Sequence, residues 1–261
     1  MLYYPQLSSG SIAQYAIGRN NVRRTLINSL PDGTQIAMAD SGASAVNWTL
    51  TYSYLTTAEL SALQQLFAAT LGRWQIFTFL DPTDNLLNWS EDLSQAVWQS
   101  DPLLTLTGGF ADPMAGTSAW QVINTAHANQ QIVQSLPIPA SYQYCLSFYV
   151  RADVPCSFSV TANSTLLAAT ASTTWTRLVF PLASNSGTGT VVVGASLPPG
   201  CSLYLFGMQL EAQQGAGGYK TTEDIAGVYT HSRFDQDVLT TTATDVNQFG
   251  ATVKIFSNVA G

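Results

Sequence analysis

Residues 144–151 read Tyr-Cys-Leu-Ser-Phe-Tyr-Val-Arg, in which strongly apolar side chains occupy every second position. This period of two is typical of a β-strand, because successive side chains on a strand point to opposite faces of its sheet. Residues 175–182, 188–195 and 203–211 repeat the alternation, and such evenly spaced strands favour a two-sheet sandwich or jelly roll. The chain is therefore predicted to be all-β.

Two further strand patterns lie nearer the start of the chain. Residues 22–39 are expected to form two strands joined by a turn at Pro31-Asp32-Gly33. Proline presets the first turn position, and glycine accepts a positive φ. Residues 46–52 then alternate apolar and polar side chains, which places Trp48 and Leu50 on one face of a third strand.

One helix is predicted after these strands. Thr56 or Thr57 is expected to cap its N-terminus, with Glu59 near the positive end of the helix dipole. An apolar stripe at helical spacing follows, and Gly72 is expected to end the helix. The stripe consists of Leu60, Leu63, Leu66 and Phe67. We expect this helix to cover one open face or end of a small barrel, and a strand to follow at residues 74–79.

The composition of the chain changes twice. A dense turn cluster lies at Asp81–Asn85, and from there to Val228 the sequence is rich in Ser, Thr and Ala. From Tyr229 the composition of the first part of the chain returns, and residues 245–256 are predicted to form a terminal strand. Exposed loop tips tolerate insertions. We therefore predict a split N-terminal β-barrel or sandwich domain, residues 1–85 and 229–261, carrying an inserted jelly-roll β-sandwich at 86–228.

The composition excludes several classes of function. Apolar residues make up 46% of the chain and charged residues 10%, with a net charge of -7. A nucleic-acid surface needs clustered cations, and no apolar run approaches the roughly 20 residues that span a bilayer. The N-terminus lacks the pattern of a secretory signal. Sparse charge suits a protein whose faces are covered by identical neighbours.

The three cysteines, Cys145, Cys156 and Cys201, show no metal-ligand spacing. Each lies among apolar or β-branched neighbours, where a buried thiol acts as a small hydrophobic side chain. We expect free thiols in the core rather than a disulfide. That expectation implies synthesis in a cytoplasm without passage through an oxidising compartment.

Two parts of the chain resemble known families. Residues 48–56, the helix end at Leu66-Phe67 and residues 72–82 resemble the N-terminal β-domain of small phage tail proteins of the distal tail and baseplate. The later part resembles the carbohydrate-binding-like sandwiches of phage tail proteins. Its matching pieces are residues 85–91, Trp98, residues 112–119, residues 144–152, Trp175 and residues 206–211. The resemblance implies a β-domain that forms a ring, six copies or alternatively three, around the tail axis.

Catalysis has little support in the sequence. His127 and His231 have no nearby cysteine or second histidine to complete a metal set, and no nucleophile elbow or phosphate-binding loop occurs. Adjacent carboxylates such as Glu91 and Asp92 do not face a shared point on a strand or helix. We predict no enzyme activity, no cofactor and no metal. Calcium near Asp101 or Asp112 would fit similar sandwiches, but no ligand spacing supports it.

Sugar binding by the sandwich would require exposed aromatic and polar side chains. Trp89, Trp98 and Trp175 are expected to be core. The candidate carbohydrate-binding residues lie on faces opposite the apolar ones: Tyr149, Arg151, Gln209 and Glu211. If their two strands pair, these four residues form one polar-aromatic patch. A subunit contact or a solvated sheet would use the same residues.

Two functions therefore compete. The first is a structural ring protein of a phage tail tip or baseplate, in contact with tail-tube and baseplate neighbours, whose inserted module serves adhesion or decoration. The second is a receptor-binding tail-tip or fibre protein that binds host surface glycans, with the N-terminal region as its anchor. Both place the protein in the virion after synthesis in the host cytoplasm, without nucleic-acid binding or membrane insertion.

Overall fold

A computed structural model describes residues 1–184 and 189–259, and it divides them into two compact units. The terminal unit comprises Met1–Ser8, Ile12–Leu80 and the chain from Tyr229 onward. The inserted unit comprises Ser9–Ser11 and Asp81–Val228. The elements, in chain order, are β1 (Ile17–Ser29), β2 (Gln35–Leu55), α1 (Thr57–Ala69), β3 (Phe77–Leu80), β4 (Trp98–Ser100), β5 (Leu104–Phe110), β6 (Ala119–Asn124), β7 (Gln130–Leu136), β8 (Tyr144–Arg151), β9 (Cys156–Ala162), β10 (Thr165–Ala171), β11 (Thr176–Leu182), β12 (Val191–Leu197), β13 (Ser202–Glu211), β14 (Val228–Phe234), β15 (Thr241–Asp245) and β16 (Gln248–Asn258).

The terminal unit is built on one six-stranded sheet. Its strands follow the order β1-β2-β16-β14-β3, with β15 pairing to β16. The predicted alternation over residues 46–52 is confirmed, because Val46, Trp48, Leu50 and Tyr52 are all buried. Trp48 packs edge-on to Tyr229, with ring centroids 4.7 Å apart, so residues from both ends of the chain share this core.

The predicted helix is confirmed. Thr56 and Glu59 form a capping box, in which the Thr56 hydroxyl accepts from the Glu59 amide and the Glu59 carboxylate accepts from the Thr56 amide. Burial acts to raise the pKa of Glu59, but hydrogen bonds from Thr56 and Ser8 outweigh it and lower that pKa. Leu60, Leu63 and Leu66 are buried as expected. The helix ends at Ala69, with Gly72 beyond it at φ +66°.

Strands β1 and β2 extend into a hairpin arm, residues 18–39, in which every residue is exposed. The predicted turn lies at its tip, where the Gly33 amide donates to the Leu30 carbonyl oxygen at 2.9 Å. Leu26 pairs with Met38 across the two strands, and Ile27 pairs with Ala37. An isolated two-stranded hairpin is marginal in water. The arm therefore carries apolar side chains that the described residues leave uncovered.

The inserted unit is a two-sheet sandwich. One sheet has the order β10-β9-β12-β7-β4 and the other β11-β8-β13-β6-β5, and the neighbouring strands in both pair antiparallel. The sheets pack through side chains such as Phe148 and Phe158, whose ring centroids lie 6.4 Å apart. The prediction of an all-β chain with a jelly-roll sandwich is confirmed.

The expectation of three free thiols is wrong. Cys156, at the start of β9, forms a disulfide with Cys201, just before β13, and only Cys145 remains free among the described residues. The bond joins the two sheets across a sequence separation of 45 residues. Apolar neighbours mark a buried cysteine whether or not it is paired, so the local sequence could not separate these cases. The argument from cysteines for synthesis in a reducing cytoplasm therefore fails.

Two strand predictions need correction. The predicted terminal strand at 245–256 is interrupted, because Val246 and Asn247 form the turn of a hairpin between β15 and β16. Asn247 has φ +58°, a conformation that asparagine tolerates better than most residues. The strand expected from Trp74 begins only at Phe77. No helix in the described ranges is long and apolar enough to cross a membrane.

Candidate binding face of the inserted sandwich

The sheet β11-β8-β13-β6-β5 has one face toward the core and one away from it. In β8, Leu146, Phe148 and Val150 are fully buried against the other sheet. The alternating residues therefore lie on the opposite side, which we call the outer face. Tyr149 and Arg151 lie there and are each half-buried, beside Ser147, which is buried.

Strands β8 and β13 pair directly, so the four predicted site residues lie on neighbouring strands. Tyr149 is opposite Phe206, and Arg151 is opposite Tyr204. Beyond Phe206 the register shifts, and Gln209 is opposite Ser147. All four predicted residues therefore share the outer face.

A bulge at Gly207-Met208 explains this arrangement. Simple alternation along β13 would place Gln209 on the sheet face opposite to that of Tyr204 and Phe206. The register shift puts them on one face instead. Gly207 adopts φ +65°, and a Cβ there would lie 2.9 Å from the Tyr219 ring, so glycine is required at the bulge.

The expectation that Gln209 and Glu211 are exposed is wrong, since their exposed fractions are 0% and 2%. The segment that follows β13 folds back over them. The Gln209 side chain accepts from the Lys220 amide at 2.7 Å. The Glu211 carboxylate accepts from the Gly217 amide at 2.8 Å and from Lys220 Nζ at 2.5 Å. These two side chains hold a loop in place and are not accessible to a ligand.

The accessible part of the outer face centres on Arg151. Its guanidinium carbon lies 3.8 Å from the ring centroid of Tyr204 and 5.5 Å from that of Trp175. Both distances fall within the range of a cation–π contact. Asp153 accepts from Arg151 Nη1 at 2.9 Å. The arginine is thus held between two aromatic rings and a carboxylate.

A polar network extends from this cluster. The Tyr204 hydroxyl donates to Asp153 Oδ2 at 2.9 Å and accepts from Gln121 Nε2 at 3.1 Å. Burial of the ring raises the pKa of Tyr204, and the hydrogen bond to Asp153 and the negative charge of Asp153 raise it further. Its hydroxyl therefore stays protonated at neutral pH and orients the Asp153 carboxylate.

A second arginine lies beside Tyr149. Arg177 is opposite Tyr149 in the pairing of β11 with β8, and its guanidinium carbon lies 5.7 Å from the Tyr149 ring centroid. Arg177 Nη2 donates to Ser147 Oγ at 3.0 Å. The free thiol of Cys145 also lies on this side of β8. Burial, and next the charge of Glu211, raise its pKa to about 11, so the thiol is unreactive at neutral pH.

The tryptophans divide into two groups. Trp98 is buried, as predicted, and its indole nitrogen donates to the Trp89 carbonyl oxygen at 3.0 Å. Trp175 is only half-buried, so the expectation that it is core is wrong. It precedes β11, and the cation of Arg151 covers part of it. Trp89 is also half-buried.

In the part of the chain that the structure describes, no group of three or more His, Cys, Asp or Glu side chains lies close enough together to hold a metal ion. Asp112 instead closes a loop by accepting from the amides of Met114, Gly116 and Ser118 at 2.8–3.0 Å. Burial acts to raise the pKa of Asp112, but these hydrogen bonds lower it overall. The carboxylate is therefore engaged by its own loop.

Four members of this face were not predicted from the sequence: Tyr204, Trp175, Arg177 and Gln121. Regular alternation along β13 would place Tyr204 on the face opposite Gln209, and only the bulge brings the two onto one face. The pairing of β8 with β11 brings in Arg177, and pairing of distant strands is not readable from local alternation.

An open cavity of about 450 Å³ also lies near the disulfide, lined by Asp153, Pro155, Pro198 and Pro199 among others.

Comparison with known proteins gives similarity in structure only. No family profile matches the chain, and no curated protein sequence matches it. The CBM22-1 xylan-binding domain of Paenibacillus barcinonensis Xyn10C is 13% identical, with a TM-score of 0.42 over 53% of this chain and 99% of that one. The family 11 carbohydrate-binding module of Clostridium thermocellum is 11% identical, with a TM-score of 0.38 over 49% and 95%.

A phage protein is also among the similar structures. The enzymatically active domain of bacteriophage CBA120 tailspike protein 4 is 10% identical, with a TM-score of 0.39 over 51% of this chain and 22% of that one. Likeness at this level assigns no ligand to the chain. The strand order alone defines the inserted unit as a two-sheet β-sandwich.

Proposed function

We propose that the inserted sandwich binds glycans through its outer face. The observation that carries this proposal is the half-exposed cluster of Trp175, Arg151 and Tyr149, fixed from beneath by Tyr204 and Asp153. Aromatic side chains offer apolar area to the faces of sugar rings. The surrounding guanidinium and amide groups supply hydrogen bonds for hydroxyls.

Rigidity of the cluster supports the same function. Binding loses less free energy to ordering when the side chains that contact a ligand are already held in place. Arg151 is fixed by two rings and a carboxylate, and Tyr149 lies within ring contact of Phe206 at 6.0 Å. Of the four predicted residues, Tyr149 and Arg151 remain as candidates for sugar contact.

We further propose that the whole chain is a structural protein of a phage tail tip or baseplate, and that it binds rather than catalyses. The terminal unit carries the residues that resemble tail proteins, and its hairpin arm presents apolar side chains on both faces. Contact with further protein would remove those side chains from water. A ring of six copies, or alternatively three, together with tail-tube and baseplate neighbours, would supply such contact in the virion.

The second candidate is a receptor-binding tail-tip or fibre protein that uses the terminal unit only as an anchor. The clustered outer face favours adhesion in either arrangement. An anchor requires one attachment surface, whereas a ring requires two complementary surfaces on each copy. Electron microscopy of virions labelled against this chain separates the two: several copies around the tail axis support the ring, and one isolated copy contradicts it.

Glycan retention by the full chain tests the binding proposal. Trp175→Ala and Tyr149→Ala should each weaken retention on an array of bacterial surface polysaccharides by about ten-fold, as expected for a side chain at the centre of a contact. Trp74→Ala is the matched control, because it removes an exposed indole from the terminal unit. Retention unchanged in the first two variants, or absent in the wild type, would contradict the proposal.

A further inference from the structure

Charge is distributed unevenly in the inserted unit. Residues 81–228 contain ten Asp and Glu side chains but only three basic ones. Arg151 and Arg177 project from the outer face, and Lys220 reaches it to bind Glu211. Every basic side chain of this acidic unit is therefore directed to one face of one sheet.

Two of these three cations are already neutralised. Arg151 is paired with Asp153 at 2.9 Å, and Lys220 is paired with Glu211 at 2.5 Å. Paired charges of this kind fix side chains and loops. Arg151 and Lys220 therefore offer a ligand little net positive charge.

Arg177 differs from the other two. In the ranges that the structure describes, its only side-chain hydrogen bond is the one to Ser147 Oγ at 3.0 Å, and no carboxylate pairs with it. A guanidinium carries five N–H donors, and one hydrogen bond and one ring contact offset only part of the hydration that this half-buried cation has lost. An anion on the outer face would supply the missing counter-charge.

We propose that the outer face recognises a polysaccharide whose sugars carry carboxylates, with Arg177 binding the carboxylate and Tyr149 contacting the sugar ring. This inference rests on the glycan-binding function proposed above and names its ligand class. The planar guanidinium matches a carboxylate through two parallel hydrogen bonds. Tyr149 and Ser147 hold the guanidinium in place before the ligand arrives.

The acidic character of the rest of the unit does not prevent this binding. Charges further away than about 8 Å are largely screened at physiological ionic strength. Two carboxylates that reach this face, Asp153 and Glu211, are each bound to a cation of their own. Arg177 thus provides the local positive charge on this face.

The test compares polysaccharides that differ only in the carboxylate. Polygalacturonate, alginate and hyaluronate are each offered to the full chain beside their carboxyl-reduced forms, with dextran and dextran sulfate as neutral and sulfated references. We expect at least one acidic polymer to bind about ten-fold more tightly than its reduced form. Equal binding of reduced or neutral polymers would overturn the carboxylate preference and leave glycan binding intact. Equally tight binding of dextran sulfate would also overturn the preference, and no binding to any polymer would contradict both proposals.

Substitution of Arg177 tests whether this side chain carries the preference for carboxylated polysaccharides. Arg177→Gln should reduce acidic-polymer binding about ten-fold and reduce binding of the carboxyl-reduced form far less, because only the acidic polymer loses a charged contact. Arg177→Lys should give a smaller loss, because lysine retains the positive charge but cannot make two parallel hydrogen bonds to a carboxylate. Arg23→Gln removes an equal charge from the exposed hairpin arm and should change nothing. Acid preference that survives in Arg177→Gln would overturn the assignment.

Discussion

The two units of this chain handle charge and apolar surface in opposite ways. The terminal unit contains six acidic and six basic side chains, and its hairpin arm exposes Leu26, Ile27 and Met38 to solvent. The inserted unit contains ten acidic and three basic side chains, so it carries the whole net charge of -7. A disulfide also joins its two sheets.

These differences indicate different relations to neighbouring molecules. Identical units with balanced charge and exposed apolar strands do not repel each other and gain from contact. Identical units with a strong net charge repel, and a covalently joined sandwich needs no partner to be stable. This contrast agrees with the proposals that the terminal unit assembles and that the inserted unit binds a ligand.

Separation of the units by fragment expression should have the largest effect. Strand β16 pairs with β2 from Phe249 opposite Leu55 to Asn258 opposite Ala45, so a fragment of residues 1–84 lacks the centre of its sheet. It should fail to fold. A fragment of residues 81–228 contains both of its sheets and should unfold cooperatively when followed by circular dichroism. A cooperatively folded 1–84 fragment would contradict this division of the chain.

Removal of the disulfide should affect one unit only. For a separation of 45 residues, loop-closure entropy gives about 4 kcal/mol of stabilisation. Cys156→Ser combined with Cys201→Ser should therefore lower the free energy of unfolding of the inserted unit by up to that amount. Calorimetry of the full chain measures this, and a reducing agent should lower the melting temperature of the wild type but not of the variant. Equal melting of both proteins would show that the bond does not stabilise the unit.

Much of the fold follows from local sequence, and the site largely does not. Alternation over residues 46–52 and the capping residues Thr56 and Glu59 specified a strand and a helix, because the forces involved act between near neighbours. The disulfide joins residues 45 apart and left no local mark. The accessible face depends on which strands pair, and that information is not local.

The bulge at Gly207 shows how one residue redirects a site prediction. It reverses the alternation of β13, and this places Tyr204 beside Arg151 on the outer face. The loop over Gln209 and Glu211 has a similar consequence, because polar residues on a strand were taken to be solvated. Burial of a polar side chain depends on partners such as Lys220, which strand periodicity does not reveal.

Two tryptophans of the inserted unit should differ in their contribution to stability. Trp98 is 5% exposed, and Trp98→Ala should cost roughly 3–5 kcal/mol, as for other buried aromatic side chains. Trp175 is half-exposed beneath Arg151, and Trp175→Ala should cost about 1 kcal/mol, near the value of an exposed cation–π contact. Denaturant titration of the two variants measures both values. Equal costs would mean that Trp175 is a core residue and that the outer face is less accessible than described.

The hairpin arm should contribute least to stability and most to assembly. Leu26 and Met38 are 48% and 55% exposed, so Leu26→Ser with Met38→Ser should change the free energy of unfolding by about 0.5 kcal/mol per site or less. The same change removes apolar surface from the arm, and self-association of the full chain at high concentration should be lost in sedimentation velocity.

Leu166→Ser provides the matched control for the arm, since Leu166 is 53% exposed on edge strand β10 of the inserted unit. It removes one apolar side chain of similar exposure, but from the unit that carries the net negative charge. Self-association should therefore persist in Leu166→Ser if the arm mediates assembly. Loss of association in both variants would mean that exposed apolar area alone drives contact between copies, and the contrast between an assembling unit and a binding unit would fail. Persistence in both would place the contact between copies outside the arm.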